Sequence, residues 1–326
     1  MTVSIIIAVK TWQRNLEECV GKCQELDFSD YEILILPDES LGRDSPHSGT
    51  VPAATVPLSV FPTGPVCPAD KRDIAMKYAK GEVLAFIDDD AYPTKDWLNS
   101  ALENFKDKDV AAVVGPAITA PEDALRQKAS GVIFSSVLVS GRYNYRYLPK
   151  KKMTVDDYPS CNFLVRKQIM QELGGFNTKF WPGEDTKLCL DITRKLGRKI
   201  IYDPGVLVYH HRRPLFIPHL KQVANYSLHR GYFVKKYPAT SLRLPFFIPT
   251  LFLCALICGG PLSLISAPLR SIYFSGVFLY LALVLFFSIH KDLRLIPLVF
   301  FGTILTHLTY GLYFLKGLFS KKLNEE

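Results

Sequence analysis

The chain begins with a continuous apolar run of strand length, "VSIIIAV" from Val3 to Val9. Leu16, Cys19, Val20, Cys23 and Leu26 then follow helical spacing, and "YEILILP" supplies a second strand-length run. This β-α-β opening predicts a parallel sheet with helices packed on its faces, because parallel neighbours need a crossover long enough to hold a helix. Between Glu39 and Pro68 the chain is rich in Pro, Ser, Gly and Thr, which predicts a loop over the sheet edge with "LSVF" as one short strand. A helix over Ala69 to Lys80 stopped by Gly81, the strand "VLAFID", a helix beginning near Thr94 and the strand "VAAVVGP" continue the alternation. The strand "SCNFLVR" follows, then a helix closed at Gly174-Gly175, a turn through Trp181-Pro182-Gly183 and a helix from Glu184 to Leu196. The strands "KIIYD" and "VLVYHH" complete an α/β domain.

Beyond it the pattern changes. Pro214 to Tyr237 mixes Leu215, Phe216, Leu220, Val223, Ala224 and Phe233 with Lys, His and Arg. That suits either an amphipathic segment on a membrane surface or a helix packed on the domain, and the pattern alone does not separate the two. Composition shifts near Pro238 to Pro245, and three apolar runs follow: Leu244 to Ser266, Leu269 to Ile289 and Leu293 to Leu315. Each is long enough to cross about 30 Å of hydrocarbon. The predicted organisation is a cytosolic domain over 1–213, an interfacial region over 214–243, transmembrane or re-entrant helices over 244–318 and a short charged tail over 319–326.

Lys235, Lys236 and Arg243 precede the first run and Lys291 and Arg294 follow the second, as the positive-inside tendency prefers. If all three runs crossed, Lys316, Lys321 and Lys322 would lie outside, which makes the Gly259-Gly260-Pro261 run the candidate for a re-entrant or interfacial segment. Met1 to Val9 has neither the basic start nor the apolar length of a secretory signal. The expectation is therefore a multi-pass protein of the inner or plasma membrane with its α/β domain in the cytosol.

With 326 residues, 48% of them hydrophobic, the chain has enough apolar material for a proper core, which excludes disorder as the default. The net charge of +8 raises nucleic acid as a partner, but Lys and Arg gather near the membrane-adjacent segments and no recognition helix or aromatic platform accompanies them. Anionic lipid and an anionic substrate account for the charge better. The seven cysteines form no zinc-like pairs; Cys19 and Cys23 share a helix face, Cys254 and Cys258 sit in an apolar run, and all read as reduced core residues.

The chemistry starts at "VLAFIDDDAYP". At an extended strand end Asp88 and Asp90 face the same way and Asp89 points elsewhere. Open α/β sheets bind ligands at the carboxyl ends of their strands. Two neighbouring carboxylates repel unless a cation lies between them, and hard oxygen donors suit Mg²⁺ or Mn²⁺, which in turn hold phosphate oxygens. A solvated acidic turn ahead of the next helix is the plain alternative. Glu184 and Asp185 open a helix after an aromatic turn, where a carboxylate serves either as general base toward a sugar hydroxyl or simply as a charge favourable to the helix N-terminus. In "VYHHRRP", the imidazole of His210 or His211 could complete a metal's coordination, and Arg212 and Arg213 could pair with phosphate or form a basic collar near the membrane. In "PADKRDIA", Arg72 is a better phosphate ligand than Lys71, since surface exposure is the usual fate of a single lysine.

Taken together, "SIIIAVK", "ILILPDES", "ADKRDIAMKYAKGEVLAFIDDDAYP", "CNFLVRKQIMQELGGF", "WPGEDTKLCLDI" and "VYHH" resemble family 2 glycosyltransferases over roughly the first 210 residues. The resemblance implies the inverting GT-A fold, a nucleotide-diphosphate sugar donor and a divalent metal. It places Ala8, Val9, Lys10 and Asp38, or Glu39 in its stead, at the nucleoside, with Arg72 and Asp89 beside the donor. It further implies Asp88, Asp90 and His210 at the metal, Asp185 as catalytic base with Glu184 supporting it, and Trp181, Asn162 and Arg212 as acceptor contacts. Membrane attachment adds a lipid-linked acceptor. The chain lacks the "QxxRW" pattern of processive polysaccharide synthases, and "AVKTWQRN" lacks the Gly-rich loop expected of a nucleotidyltransferase. A polyprenyl-phosphate sugar synthase and a nucleotide-sugar-binding scaffold without turnover are the two rival readings.

Overall fold

The computed structural model describes residues 1–40 and 56–325, so residues 41–55 of the predicted Glu39 to Pro68 loop lie outside the described residues. The chain forms two units, one from Met1–Ile118 with Tyr145–His211, the other from Thr119–Asn144 with Arg212–Asn324. Residues Thr119–Asn144 thus group with the C-terminal helices, although the sequence reading placed them inside one domain ending at residue 213.

The strands in chain order are β1 (Val3–Ala8), β2 (Tyr31–Leu36), β3 (Leu58–Val60), β4 (Val83–Asp88), β5 (Ala91–Pro93), β6 (Val110–Val114), β7 (Ala117–Thr119), β8 (Met153–Val155), β9 (Asn162–Arg166), β10 (Lys199–Tyr202) and β11 (Val208–His210). The main sheet of the first unit runs β3-β2-β1-β4-β9-β6-β10-β8. Its first four strands are mutually parallel, as the opening pattern predicts. Beyond them the sheet is mixed, for β9 runs antiparallel to both β4 and β6. Between β6 and β9 the chain passes through Thr119–Asn144, which group with the other unit, so the simple β-α-β alternation of the opening does not carry through to β9.

This reversal positions the site. In the sheet register Ala8 pairs with both Leu36 and Asp88, and Ile87 pairs with Asn162. The carboxyl ends of β1, β2 and β4 therefore share one rim with the amino end of β9. Below the rim, Ile5, Ile7, Ile33, Ile35, Ala85 and Ile87 pack with Leu16, Cys19, Val20 and Cys23 of the helix Arg14–Gln24, each buried almost completely. Burying such side chains contributes about 1.5–3 kcal/mol apiece before conformational entropy is counted. All seven cysteines are free.

Two helices differ in extent from the sequence reading. Pro68–Ala75 ends sooner than Lys80 because its last turn tightens, the Ala75 carbonyl accepting from the N–H groups of both Tyr78 and Ala79. Glu184–Leu190 continues as a wider turn over Asp191–Lys195. A short antiparallel pairing of β5 with β11 sets His210 opposite Ala91, just past the aspartates.

The second unit holds the helices Leu125–Ser135, Ile217–Lys236, Leu244–Leu262, Ala267–Ser288 and Leu295–Phe319. The last three are long and apolar enough to cross a membrane. Leu244–Leu262 runs through Gly259-Gly260-Pro261 as continuous helix. The Pro214 to Tyr237 segment is helical from Ile217 and packs closely on Leu295–Phe319: Gly231 abuts the Phe314 carbonyl, and Gly317 abuts the Leu228 carbonyl, where any side chain would collide. Ala129, Ile133, Leu215, Leu295 and Val299 form the core of this unit.

Candidate active site

β4 ends at Asp88, and Asp89 and Asp90 form the turn into β5. The turn, rather than strand pleating, brings Asp88 and Asp90 together. Their carboxylates and the His210 imidazole lie within 4.8 Å of one another. His210 Nε2 is 3.0 Å from Asp90 Oδ1, whereas His211 Nε2 is 3.0 Å from Glu18 Oε2 on the helix Arg14–Gln24. The two adjacent histidines therefore serve different partners. Asp89 turns aside and accepts from the Gln13 amide.

Burial, with Asp90 close by, raises the Asp88 carboxyl above the usual range despite the opposing Arg72 guanidinium. Burial and then its two acidic neighbours push Asp89 up to about 7. Carboxylates crowded in this way are relieved by a proton or by a cation. Two oxygens and one imidazole nitrogen within reach of a single point fit Mg²⁺ or Mn²⁺.

The group that ties this cluster to the rest of the site is Arg72, only 3% exposed. Its Nη2 donates to Asp88 Oδ1 at 2.7 Å, and its Nη1 to Ser160 Oγ at 2.9 Å and Glu184 Oε1 at 3.3 Å. The guanidinium also stands 5.9 Å from the Phe86 ring centroid and 5.7 Å from that of Phe176. Its inward position follows from spacing on the helix Pro68–Ala75, where Ala69, Arg72 and Ala75 share the buried face.

Gly183, with φ 121°, occupies a backbone region that disfavours side chains, and this lets the chain turn sharply into the helix Glu184–Leu190. Glu184 is buried, and Oε2 accepts from the Gly183 N–H at 3.0 Å. Burial, then the neighbouring Asp185 charge, pushes its carboxyl up to about 8, with Arg72 pulling the other way. Asp185 is half-buried, and its Oδ1 accepts from the Thr186 N–H at 2.7 Å. Trp181, two residues before this turn glycine, is 49% exposed.

At the ends of β1 and β2 the structure corrects the reading of Lys71. It is buried, not a surface lysine: Nζ donates to the Val9 carbonyl at 2.7 Å and the Leu36 carbonyl at 3.1 Å, and it forms an ion pair with Asp38. The Asp38 N–H donates in turn to the Lys10 carbonyl at 2.9 Å. Ala8, Val9, Lys10 and Asp38 therefore form one linked rim, while Glu39 is exposed.

Two expected acceptor contacts are placed otherwise. Asn162 is fully buried; its Nδ2 donates to the Gly115 carbonyl at 2.8 Å and the Val206 carbonyl at 2.7 Å, and its Oδ1 accepts from Trp97 Nε1 at 2.9 Å. Both ends of its amide are engaged, and it clamps the core. Arg212 is also buried, at the start of the second unit, where its N–H donates to Asp123 Oδ2 at 3.0 Å and its Nε to the Thr119 hydroxyl at 3.4 Å.

Three supporting residues escaped the sequence reading. Gln13 and Ser160 lie in loops without periodic signal. Asp73 follows Arg72 and accepts from the Phe176 N–H at 2.9 and 3.2 Å, fixing the turn after Gly175.

A mixed sheet of this order, with paired acids at the tip of β4, defines a GT-A-type α/β domain. The chain belongs to glycosyl transferase family 2, whose family model matches residues 4–174. Over 146 residues it is 31% identical to the pre-mycofactocin glycosyltransferase of Mycobacterium tuberculosis, a match covering 45% of this chain and 30% of that protein. The chain therefore spans less than a third of that relative. A glucosyl-dolichyl phosphate glucuronosyltransferase of Haloferax volcanii is 21% identical over 228 residues, covering 64% of this chain and 69% of the relative. Among solved structures, the mannosyltransferase PcManGT from Pyrobaculum calidifontis, in complex with GDP-Man and Mn²⁺, superposes with a TM-score of 0.63 at 18% identity, covering 98% of this chain and 88% of that one. GalNAc-T7 with UDP, GalNAc and Mn²⁺ gives a TM-score of 0.50 at 16% identity over 73% of this chain and 51% of that one.

Proposed function

We propose that this protein is a membrane-attached, inverting glycosyltransferase that moves a sugar from a nucleotide-diphosphate donor to a hydroxyl of a lipid-linked saccharide or glycolipid at the cytosolic membrane surface. The observation that carries the reading is the bridge through Arg72, which joins the Asp88, Asp90 and His210 cluster to the Glu184-Asp185 pair as parts of one site. The likeness to a mannosyltransferase crystallised with GDP-Man and Mn²⁺, and to an enzyme named for glucosyl-dolichyl phosphate, supports the same donor and acceptor chemistry.

In this reading the rim of Ala8, Val9, Lys10 and Asp38 receives the nucleoside, with Lys71 holding the rim in place. Asp88, Asp90 and His210 hold Mg²⁺ or Mn²⁺, which when bound neutralises the diphosphate and stabilises the charge that grows on it as it leaves. Arg72 fixes the orientation of Asp88. Glu184 is held by Arg72 and the Gly183 N–H as the supporting carboxylate, and the half-buried Asp185 beside it acts on the acceptor. It takes the proton of the acceptor hydroxyl, whose oxygen attacks the anomeric carbon from the face opposite the leaving diphosphate. A single displacement inverts the configuration. Trp181 supplies an exposed aromatic face beside the acidic pair for the acceptor sugar. The three apolar helices keep the unit at the membrane.

The test uses the full-length protein with a panel of nucleotide sugars, with and without Mn²⁺. A matching donor raises the melting temperature only with the metal, and Asp90→Asn abolishes that rise. Asp185→Asn keeps the rise but loses transfer. If no nucleotide sugar shifts the melt, the donor assignment fails. Transfer persisting in Asp185→Asn moves the assignment to the polyprenyl-phosphate sugar synthases, whose phosphate acceptor needs no base.

A further inference from the structure

The helix that carries Asp185 is too short to hold itself. Glu184–Leu190 makes about two turns, opens on two adjacent acids and runs into the wider turn Asp191–Lys195, so its first turn depends on tertiary partners. Glu184 has Arg72 and the Gly183 N–H. The anchor of Asp185 lies one residue further on. The Thr186 N–H donates to Asp185 Oδ1 at 2.7 Å, and the Thr186 hydroxyl donates to Asp157 Oδ1 at 3.0 Å. Thr186 and Asp157 are both buried, so water does not compete for this contact.

Asp157 is itself held. Arg146 Nη2 pairs with Asp157 Oδ2 at 3.2 Å and donates to the Asp157 carbonyl at 2.7 Å, clasping side chain and main chain at once. The same guanidinium stands 5.8 Å from the Tyr158 ring centroid, and the Tyr158 hydroxyl donates to the Gly115 carbonyl at 2.5 Å. The Tyr158 carbonyl accepts from the Cys189 thiol at 3.6 Å, so Thr186 and Cys189, on one face of the helix, both rest on Asp157 and Tyr158. Further along the same stretch, the Ser160 hydroxyl accepts from Arg72 Nη1, while Arg72 Nη2 holds Asp88. Asp157 to Ser160 spans at most about 11 Å of chain. That short bracket grips the metal-side acid through Ser160 at one end and the base-side helix through Asp157 at the other. A buried ion pair adds little net stability over apolar groups of the same volume; what it supplies here is a fixed direction for the Thr186 hydroxyl.

We propose that Arg146, Asp157 and Thr186 are positioning residues that set the Asp185 carboxylate at a fixed distance from the Asp88, Asp90 and His210 cluster. This deepens the proposed function, on whose assignment of Asp185 as base it rests.

The experiment uses the full-length protein in detergent and two readouts. Thr186→Val keeps the shape and loses the hydroxyl, and Thr186→Ser returns it. Asp157→Asn keeps an acceptor for Thr186 but lacks the charge that holds Arg146, and serves where the Val variant does not fold. With the donor found in the melting panel, kcat falls about a hundredfold in Thr186→Val while donor KM stays within about twofold, and Thr186→Ser recovers all but about threefold; this is the cost of a displaced reacting group rather than of a lost binding contact. The second readout needs no substrate. Carbodiimide coupling of glycine ethyl ester, followed by peptide mass spectrometry, reads the Asp185 carboxyl directly. Asp185 labels about threefold faster in Thr186→Val and Asp157→Asn, the worth of one loosened hydrogen bond, and at the wild-type rate in Thr186→Ser, with Asp38 and Asp73 unchanged throughout. Unchanged Asp185 labelling, labelling that rises equally at Asp38 and Asp73, a kcat within about threefold of wild type in Thr186→Val, or a kcat loss matched by a rise in donor KM overturns the positioning role. Where no nucleotide sugar is turned over, the labelling alone decides. Where Asp185→Asn retains transfer, the base assignment falls and the labelling still stands or fails by itself.

Discussion

Replacing Arg72 with methionine keeps the stem's packing on Phe86 and Phe176 and removes the cation between Asp88 and Glu184. The side chain of Glu184 is only 6% exposed, so its share of the pair is lost nearly in full, while that of Asp88, at 35%, is partly screened by water. Stripping the partner from a buried charge costs about 3–5 kcal/mol, and discounting Asp88 leaves roughly 3 kcal/mol. For a unit of this size that lowers the melting temperature by roughly 6–12 °C. The defect carries a pH signature. The Glu184 carboxyl is raised to about 8 in the folded protein by burial first and Asp185 second, so its contribution to stability is full below the ordinary carboxylate range and is lost as pH rises through about 8. At pH 6 Glu184 is neutral and misses Arg72 little; at pH 9 it is charged and unpartnered. The gap between wild type and Arg72→Met therefore widens from pH 6 to pH 9, and Arg72→Lys recovers about half of it. Thermal unfolding of the full chain in detergent, followed by intrinsic fluorescence, measures the gap. A variant that melts within 2 °C of wild type at pH 9, or a gap that narrows with rising pH, refutes the bridging role.

Two further outcomes follow from the same geometry. Asp73 is raised to about 6, chiefly by burial, so its contribution is full below about 4 and lost as pH rises through 6; Asp73→Asn, which still accepts from the Phe176 N–H, is more stable than wild type at pH 7.5 by about 1 kcal/mol after allowance for partial exposure, and the difference vanishes near pH 4 in melting curves. Asn162→Ala orphans the Val206 carbonyl and the Trp97 N–H, while the Gly115 carbonyl still accepts from the Tyr158 hydroxyl, and costs about 2–3 kcal/mol in denaturant titrations with the acceptor KM of the folded enzyme unchanged; a raised KM at constant stability returns Asn162 to the acceptor site.

The main strands and helices were legible because apolar periodicity reports burial directly, and "VSIIIAV", "YEILILP" and "VLAFID" became β1, β2 and β4. Strand direction was not legible. "SCNFLVR" reads the same in a parallel or an antiparallel neighbour, and only the route of the preceding connection decides between them. Of the five three-residue strands, β3 and β11 lie within apolar runs that mark them, while β5, β7 and β8 carry too little sequence for a period. At the candidate site the aspartates and the acidic pair stood out through unusual charge, but pairing hides partners: Lys71 looked like a surface lysine because nothing local announces that two carbonyls and a carboxylate await it. Asn162 shows the same blindness, since nothing in "SCNFLVR" announces that both ends of its amide meet partners in the core.

The dependence of Thr119–Asn144 on the C-terminal helices bears on how the enzyme can be handled. Ala129 and Ile133 lie early in the chain, yet they are covered by Leu215, Leu295 and Val299 from its far end. No single scissor position therefore yields a water-soluble catalytic fragment: a truncation after residue 213 would leave a greasy flap in the middle of the surviving piece. Removing the three apolar helices cleanly requires excising or re-surfacing that internal stretch as well, and the two ends of the second unit are best handled as one inheritance.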